Sequence, residues 1–352
     1  VAFAVRRIAA AAGVQITASH NPAGDNGYKV YFDGGLQIAS PTDRDIEAAI
    51  AAAPPADEIA RRPVDPVGAT LVDAYVERAA SVRRGRDPVR VALTAMHGVG
   101  GELGLRALRA AGFADIHVVA SQFDPDPDFP TVAFPNPEEP GATDALLDLA
   151  DRVEAGIAIA LDPDADRCAV GIPTDHGWRM LSGDETGWLL GDFILSRLEP
   201  GETAGAVVAS SVVSSQLLAA IATDHGARHV QTLTGFKWLA RADADVPGGV
   251  LVYAYEEAIG HCVDPEAVRD KDGISTAVLA CDLVAGLAAQ GSSVPAALGA
   301  LARRHGLHMT AAVSRGVATP AEAAAMMARL RAHPPTELAG IAVTAGDRAD
   351  ML

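Results

Sequence analysis

Apolar and polar positions along the chain alternate between two periods, and the switches mark the elements. Val1 to Ala12 is apolar at helical spacing, and Val14-Gln15-Ile16 then reads as a short strand. A loop rich in Asn, Pro and Gly runs from Thr17 through Gly27, followed by a strand over Tyr28 to Phe32 and a turn at Asp33-Gly34-Gly35. Pro41-Thr42-Asp43 starts a helix predicted over Thr42 to Ala52, after which Pro54-Pro55 and the stretch from Pro63 to Pro66 punctuate a linker.

Two longer units follow with the same plan. In the first, the strand Val89 to Leu93 leads through a loop, Thr94 to Gly101, into a helix over Glu102 to Ala111 and a strand over Ile116 to Val119. A Pro- and Asp-rich excursion, Gln122 to Pro140, precedes a helix over Ala142 to Arg152 and an apolar strand, Gly156 to Leu161, that runs straight into Asp162. In the second, the strand Ala206 to Ala209, the loop Ser210 to Val213, a helix over Ser214 to His225 and the strand His229 to Thr232 precede the strand Val250 to Tyr253, which runs into Glu256-Glu257. Two βαβ units of similar period fit tandem duplicated α/β domains. His308 to Val313, a helix over Pro320 to Arg331 and Ile341 to Thr344 read as the opening of a smaller α+β unit. Several strands thus end in polar loops, where ligands gather in open α/β sheets.

Composition narrows the chemistry. With 28 Lys+Arg against 45 Asp+Glu, the net charge of −17 and pI near 4.9 speak against a nucleic-acid partner, which needs a basic face. No apolar stretch approaches the roughly 20 residues of a membrane span. Cys168, Cys262 and Cys281 show no metal or disulfide spacing, so a reducing, cytoplasmic setting is expected. Only three of the 28 basic residues are lysines, Lys29, Lys237 and Lys271. Where Arg has replaced Lys so widely, the survivors mark places that need a compact ammonium.

The loop Asp162-Pro163-Asp164-Ala165-Asp166-Arg167 sets three carboxylates at every second position directly after a core strand. Such crowding calls for a hard cation such as Mg²⁺. An EF-hand is excluded, because Arg167 stands at its glycine position and Pro173 at its bidentate glutamate. Ser19 and His20 form a second candidate, without the G-x-S-x-G setting of an α/β-hydrolase. Gly98 to Gly104 departs from a dinucleotide fingerprint and reads as close packing of a helix start. His225, His229, His305 and His308 share no metal spacing and read as surface or core residues, and Cys168 reads as a small apolar strand residue.

Four segments in order, Thr17 to Pro22 (TASHNP), Asp162 to Arg167 (DPDADR), Thr234 to Trp238 (TGFKW) and Tyr255 to Gly260 (YEEAIG), closely resemble the α-D-phosphohexomutase family. Ala95 to Gly101, Phe134 to Pro140 and Asp270 to Gly273 add to the match, and the EEAIG form looks like the branch that includes phosphopentomutases. The resemblance covers the whole chain. It implies tandem α/β domains with mixed sheets around a central cleft, each giving one loop to the site, plus the start of a smaller C-terminal α+β domain. The corresponding boundaries are 1–66, 67–180, 181–306 and 307–352.

By resemblance, Ser19 carries a phosphoryl group and lends an oxygen to Mg²⁺, with Asp162, Asp164 and Asp166 as the other protein ligands. Arg167 stands beside the transferring phosphate, and His20 and Lys29 exchange protons with the sugar hydroxyl. Thr234, Gly235 and Lys237 read sugar orientation, Glu256 binds sugar hydroxyls, and Lys271 lies near the distal phosphate. All three lysines thus match positions to which the resemblance gives a role. Ala258 departs from the sugar-binding serine of many members.

The implied reaction interconverts hexose 1- and 6-phosphates through a phosphoserine and a sugar bisphosphate, which also serves as activator. The alternative substrate is a pentose phosphate. A DxD-type phosphatase would have no use for the Ser19 and YEEAIG segments. The family's fourth, phosphate-gripping loop is not found in these 352 residues, and both ends are expected to be cut. A catalytically poor fragment that binds metal and sugar phosphate is therefore a further expectation.

Overall fold

A computed structural model describes residues 1–64, 66, 68–199, 201–311, 316–338 and 340–343. Two compact units divide at His308/Met309. The first opens with α1 (Ala2–Arg7) and a three-stranded antiparallel sheet, β1 (Gly13–Ile16), β2 (Tyr28–Phe32) and β3 (Leu36–Gln37), followed by α2 (Thr42–Ala52). α1 ends well before Ala12 because Ala9 turns left-handed (φ 49°) and the Ala10 amide closes on the Val5 carbonyl.

α3 (Gly68–Ala80) leads into the second domain: β4 (Val91–Thr94), α4 (Gly100–Ala110), β5 (Ile116–Val118), α5 (Asp144–Arg152), β6 (Ile157–Leu161), β7 (Cys168–Thr174) and β8 (Gly177–Met180). The third has α6 (Gly183–Leu195), β9 (Ala206–Ser211), α7 (Leu217–His225), β10 (Arg228–Thr232), α8 (Phe236–Leu239), β11 (Val250–Glu256) and β12 (Gly260–Cys262), then α9 (Gly273–Ala289) and α10 (Val294–His305).

The strand orders β5-β4-β6-β7-β8 and β10-β9-β11-β12 repeat one topology. In each, the first three strands named are parallel and the next, β7 or β12, is antiparallel. β6 and β11 therefore occupy matching places, and each ends in an acidic loop that turns back into an antiparallel partner. The expected tandem mixed α/β architecture is what the chain forms.

β4 and β6 are buried along their whole length, which accounts for their unbroken apolar runs. α9 packs against both halves, and its buried face extends from Gly273 to Ala285. With apolar residues all round it has no amphipathic stripe, so periodicity does not reveal it as a core helix. No single helix among the described residues is long and apolar enough to cross a membrane. α7 begins at Leu217 rather than Ser214, because the Ser211 and Ser215 hydroxyls accept the amides of Ser214 and Leu217 and hold a turn there.

The second unit contains α11 (Pro320–Ala332) and a hairpin of β13 (Glu337–Leu338) and β14 (Ile341–Ala342). Residues 308–311 form no strand, while 312, 313 and 344 lie outside the described residues.

Candidate active site

β6 delivers Asp162 from the core, and the following turn reverses the chain by placing Ala165 in the left-handed region (φ 57°). Asp162 is fully buried; its Oδ1 accepts the Arg167 amide at 2.9 Å. Gly98 gives the turn room, since a β-carbon there would sit 2.5 Å from the Pro163 carbonyl oxygen.

One oxygen on each aspartate, Asp162 Oδ2, Asp164 Oδ1 and Asp166 Oδ1, is buried without a hydrogen-bond partner among the described residues. Asp162, Asp164 and Asp166 each offer a ligand oxygen, all within 4.8 Å of one another. Three carboxylates, Asp162 buried and Asp164 and Asp166 half-buried, each leaving an acceptor unpaired and lying this close together, fit a hard divalent cation. Burial first, and then the charges of Asp166 and Asp164, push the Asp162 carboxyl well above its usual range. Burial acts the same way on Asp166, but the Lys271 and Lys29 ammoniums win and hold it well below.

The serine loop reaches this turn from the first sheet. Ser19 is itself left-handed (φ 56°), and its amide donates to Thr17 Oγ1 at 2.8 Å. Thr17 Oγ1 in turn donates to Asp164 Oδ2 at 3.0 Å, which ties the serine loop directly to a metal candidate. Ser19 Oγ lies 3.1 Å from His20 Nδ1. Burial, then the Arg167 charge, lowers the His20 pKa from its ordinary value. From β2, Lys29 Nζ donates to Asp164 Oδ2 at 2.8 Å and Asp166 Oδ2 at 2.5 Å.

Lys271 completes the cationic frame, with Nζ 3.3 Å from Asp166 Oδ2 and 3.8 Å from Asp270 Oδ1. Its ammonium faces the aspartate turn, and the opposing carboxylates keep it charged despite burial. Arg167 sends Nη1 to the Ala258 carbonyl at 3.1 Å, and the Cys168 amide donates to Ile259 O at 3.2 Å. The aspartate turn and the YEEAIG loop are thus stitched together. Burial raises the Glu256 pKa against the pull of Lys271 and Arg167.

The TGFKW segment stands further off. Phe236 places its ring 5.4 Å from Lys271 Nζ, whereas Lys237 lies over Trp238 and lines a pocket of about 520 Å³ shared with Lys29 and Asp43. Thr234 is exposed and Gly235 is left-handed (φ 100°).

Sequence reasoning missed several participants. Thr17 lies inside the TASHNP segment, but the resemblance gives it no role. Asp270 accepts Tyr31 OH at 2.7 Å and Gln37 Nε2 at 2.9 Å, locking the first sheet to the lysine loop. Asp272 caps α9 and accepts Tyr75 OH at 2.6 Å. Their signal was their place on either side of Lys271. Loss of hydration raises the carboxyl of Glu138, from the Phe134 to Pro140 segment, against the pull of Arg167 and with a push from Glu257. The remaining histidines behave as expected: His225 pairs with Asp192 and His229 with Ser210, each at 2.8 Å, and Cys168 is a buried strand residue.

Tandem mixed α/β domains meeting at a buried aspartate turn define an α/β protein with a cation-ready acidic centre. Family models for the phosphoglucomutase/phosphomannomutase α/β/α domains I, II and III match residues 1–56, 72–175 and 182–304. A Haemophilus influenzae protein named Probable phosphomannomutase is 40% identical over 359 residues, covering 97% of this chain and 70% of that protein. Phosphopentomutase of Mus musculus is 39% identical over 334 residues, covering 89% of this chain and 54% of that one. A solved Thermus thermophilus structure assigned as a phosphomannomutase superposes with a TM-score of 0.68 at 26% identity, covering 87% of this chain and 66% of its own. The chain belongs to the phosphoglucomutase/phosphomannomutase family, a family of phosphomutase enzymes. It spans about half the length of the phosphopentomutases it matches.

Proposed function

We propose that the protein interconverts hexose 1-phosphate and hexose 6-phosphate, glucose or mannose, through a phosphoryl group carried on Ser19. The carrying observation is the chain of contacts from Ser19 through Thr17 to Asp164, beside three unpartnered carboxylate oxygens.

Asp162, Asp164 and Asp166, with an oxygen of phosphorylated Ser19, would hold Mg²⁺, which offsets the charge that builds on a transferring phosphoryl group. The sugar hydroxyl attacks the phosphorus, the bond to Ser19 Oγ breaks, and the products are a sugar bisphosphate and free Ser19. The proton lost by the sugar hydroxyl ends on Ser19 Oγ, and His20 Nδ1 is the group placed to deliver it. Lys29, held between two carboxylates, acts as fixed positive charge, and Arg167 beside the turn does the same for the phosphoryl oxygens. Glu256, Thr234, Gly235 and Lys237 hold the sugar, and Lys271 adds positive charge. The bisphosphate then reverses in the cleft, and its other phosphate returns to Ser19.

A pentose 1-phosphate is the second reading, favoured by near-equal identity to phosphopentomutases, 39–40%, and to the phosphomannomutase relative, 40%. Turnover of glucose, mannose and ribose 1-phosphates, each with its bisphosphate, separates the readings. Phosphopeptide mass spectrometry after treatment with glucose 1,6-bisphosphate should place phosphate on Ser19, and Ser19→Ala should remove it. Phosphate on another residue, with Ser19 unmodified, would overturn the mechanism.

A further inference from the structure

Glu256 and Glu257 are neighbours with opposite surroundings. Glu256 ends β11 beside Lys271: a β-carbon on Gly260 would press on both side chains. Glu257 turns the other way, toward the start of α7. Its Oε2 accepts Ser211 Oγ at 2.9 Å and Ser214 Oγ at 3.0 Å, and its amide donates to Ser214 Oγ at 3.1 Å. Both serines are buried.

The other flank is fastened as well. Tyr255 OH donates to Asp184 Oδ1 at 2.8 Å, and that oxygen also accepts the Ser215 amide at 2.8 Å. Gly183, at the start of α6, packs so closely on the Glu257 carbonyl that no β-carbon fits. Beyond Glu257, the carbonyls of Ala258 and Ile259 are taken by Arg167 and the Cys168 amide. Ile259 is left-handed (φ 53°), a conformation a β-branched residue keeps only when its surroundings impose it. The residues flanking Glu256 are therefore fastened to neighbouring elements, while the Glu256 side chain lies beside Lys271.

We infer that Glu257 is a positioning residue, which through Ser211 and Ser214 fixes where Glu256 presents its carboxylate to the sugar. The inference rests on the mutase reading for the identity of the ligand, and on the hydrogen bonds alone for the clamp. A carboxylate free to rotate about an unfastened loop would lose affinity for the sugar before it lost the chemistry at Ser19, because Ser19 is held from the opposite side by Thr17.

The test is a pair of variants read against Glu256. Glu257→Ala should raise KM for the accepted sugar phosphate about tenfold while changing kcat less. Glu257→Gln keeps an oxygen that both serines can reach, and should restore KM nearly to the wild-type value. In a Glu256→Ala background, Glu257→Ala should add nothing, since it acts through the residue already removed. Additive losses, or an unchanged KM in folded Glu257→Ala, would overturn the inference. Thermal melts of each variant separate misfolding from mispositioning, and the Ser211→Ala/Ser214→Ala pair should reproduce the KM shift. Hydrogen exchange of amides 256–260 judges the clamp independently of the reaction. Faster exchange in Glu257→Ala but not in Glu257→Gln upholds it even if the wild-type protein turns over none of the three sugar phosphates, a result that would sink the mutase reading instead. Unchanged exchange sinks the clamp.

Discussion

At the scale of single residues, the centre is governed by charge that has been removed from water. Three aspartates at i, i+2 and i+4 are tolerable only with cations between them, and Lys29 and Lys271 supply part of that charge on the Oδ2 side of Asp164 and Asp166. The oxygens left over face one another. Asp164→Asn removes one of those charges but keeps an acceptor for Thr17, so the fold should survive while Mg²⁺-dependent turnover falls by roughly a hundredfold or more. Turnover and a melt on the same preparation check this, and near-normal rates at limiting Mg²⁺ would remove Asp164 from the ligand set. Two imidazoles, His261 buried and His229 half-buried, make stability depend on pH. Burial lowers His229 to about 4 and His261 to about 3, below the ordinary 6.5. Above pH 6.5 both are neutral whether the chain is folded or not, and this contribution is fully present. As pH falls below 6.5 the unfolded chain takes up protons that the folded one refuses. Stability therefore drops by up to about 1.4 kcal/mol per pH unit for each group, until pH reaches the folded values. Urea midpoints of wild type and His229→Gln between pH 7 and 4.5 should show a shallower slope in the variant.

At the scale of elements, strand ends do the positioning. β6 and β11 hold matching places in the two sheets, and each runs from a buried apolar stretch into a carboxylate loop. The sequence shows this plainly, because an apolar run followed by acidic residues is a local pattern. The packing that shapes the loops is less legible. Gly98 belongs to a glycine stretch that spacing marks only as a close approach, and the structure identifies the neighbour as Pro163 of the aspartate turn. Gly98→Ala should cost about 1–3 kcal/mol through that contact and weaken Mg²⁺ binding with it. Calorimetric titration with Mg²⁺ alongside a denaturant melt distinguishes this from a stability loss that leaves the ion site intact. Helices divide along similar lines. α2 carries a recognisable start signal, Pro41-Thr42-Asp43, and both it and α11 form where the sequence places them. α9 is buried on almost every side from Gly273 to Ala285, so although Asp272 caps its start no amphipathic stripe marks it in the sequence.

At the scale of the whole molecule, a chain of net charge −17 concentrates several of its acidic groups at one buried point, so loss of the ion should be felt throughout the first unit. On the proposed reading Mg²⁺ is held by the folded site alone, so at about a hundredfold excess over Kd it should raise the melting temperature by roughly 5 °C. EDTA should reverse the rise in the wild-type protein and do little to Asp164→Asn. An equal response to EDTA in both would place the ion elsewhere. By itself the sequence determined the strands that lead into the site, the aspartate turn and the serine loop. Each of these is carried by neighbours a few positions apart, where backbone geometry fixes what meets what. Only the tertiary structure decided that Thr17 and Lys29 converge on Asp164, that Lys271 faces Asp166, that Asp270 locks Tyr31, and that Glu256 and Glu257 part ways. Those pairings join residues far apart in the chain, and they exist because buried charges and hydroxyls must find partners across whichever strand ends the packed core brings together.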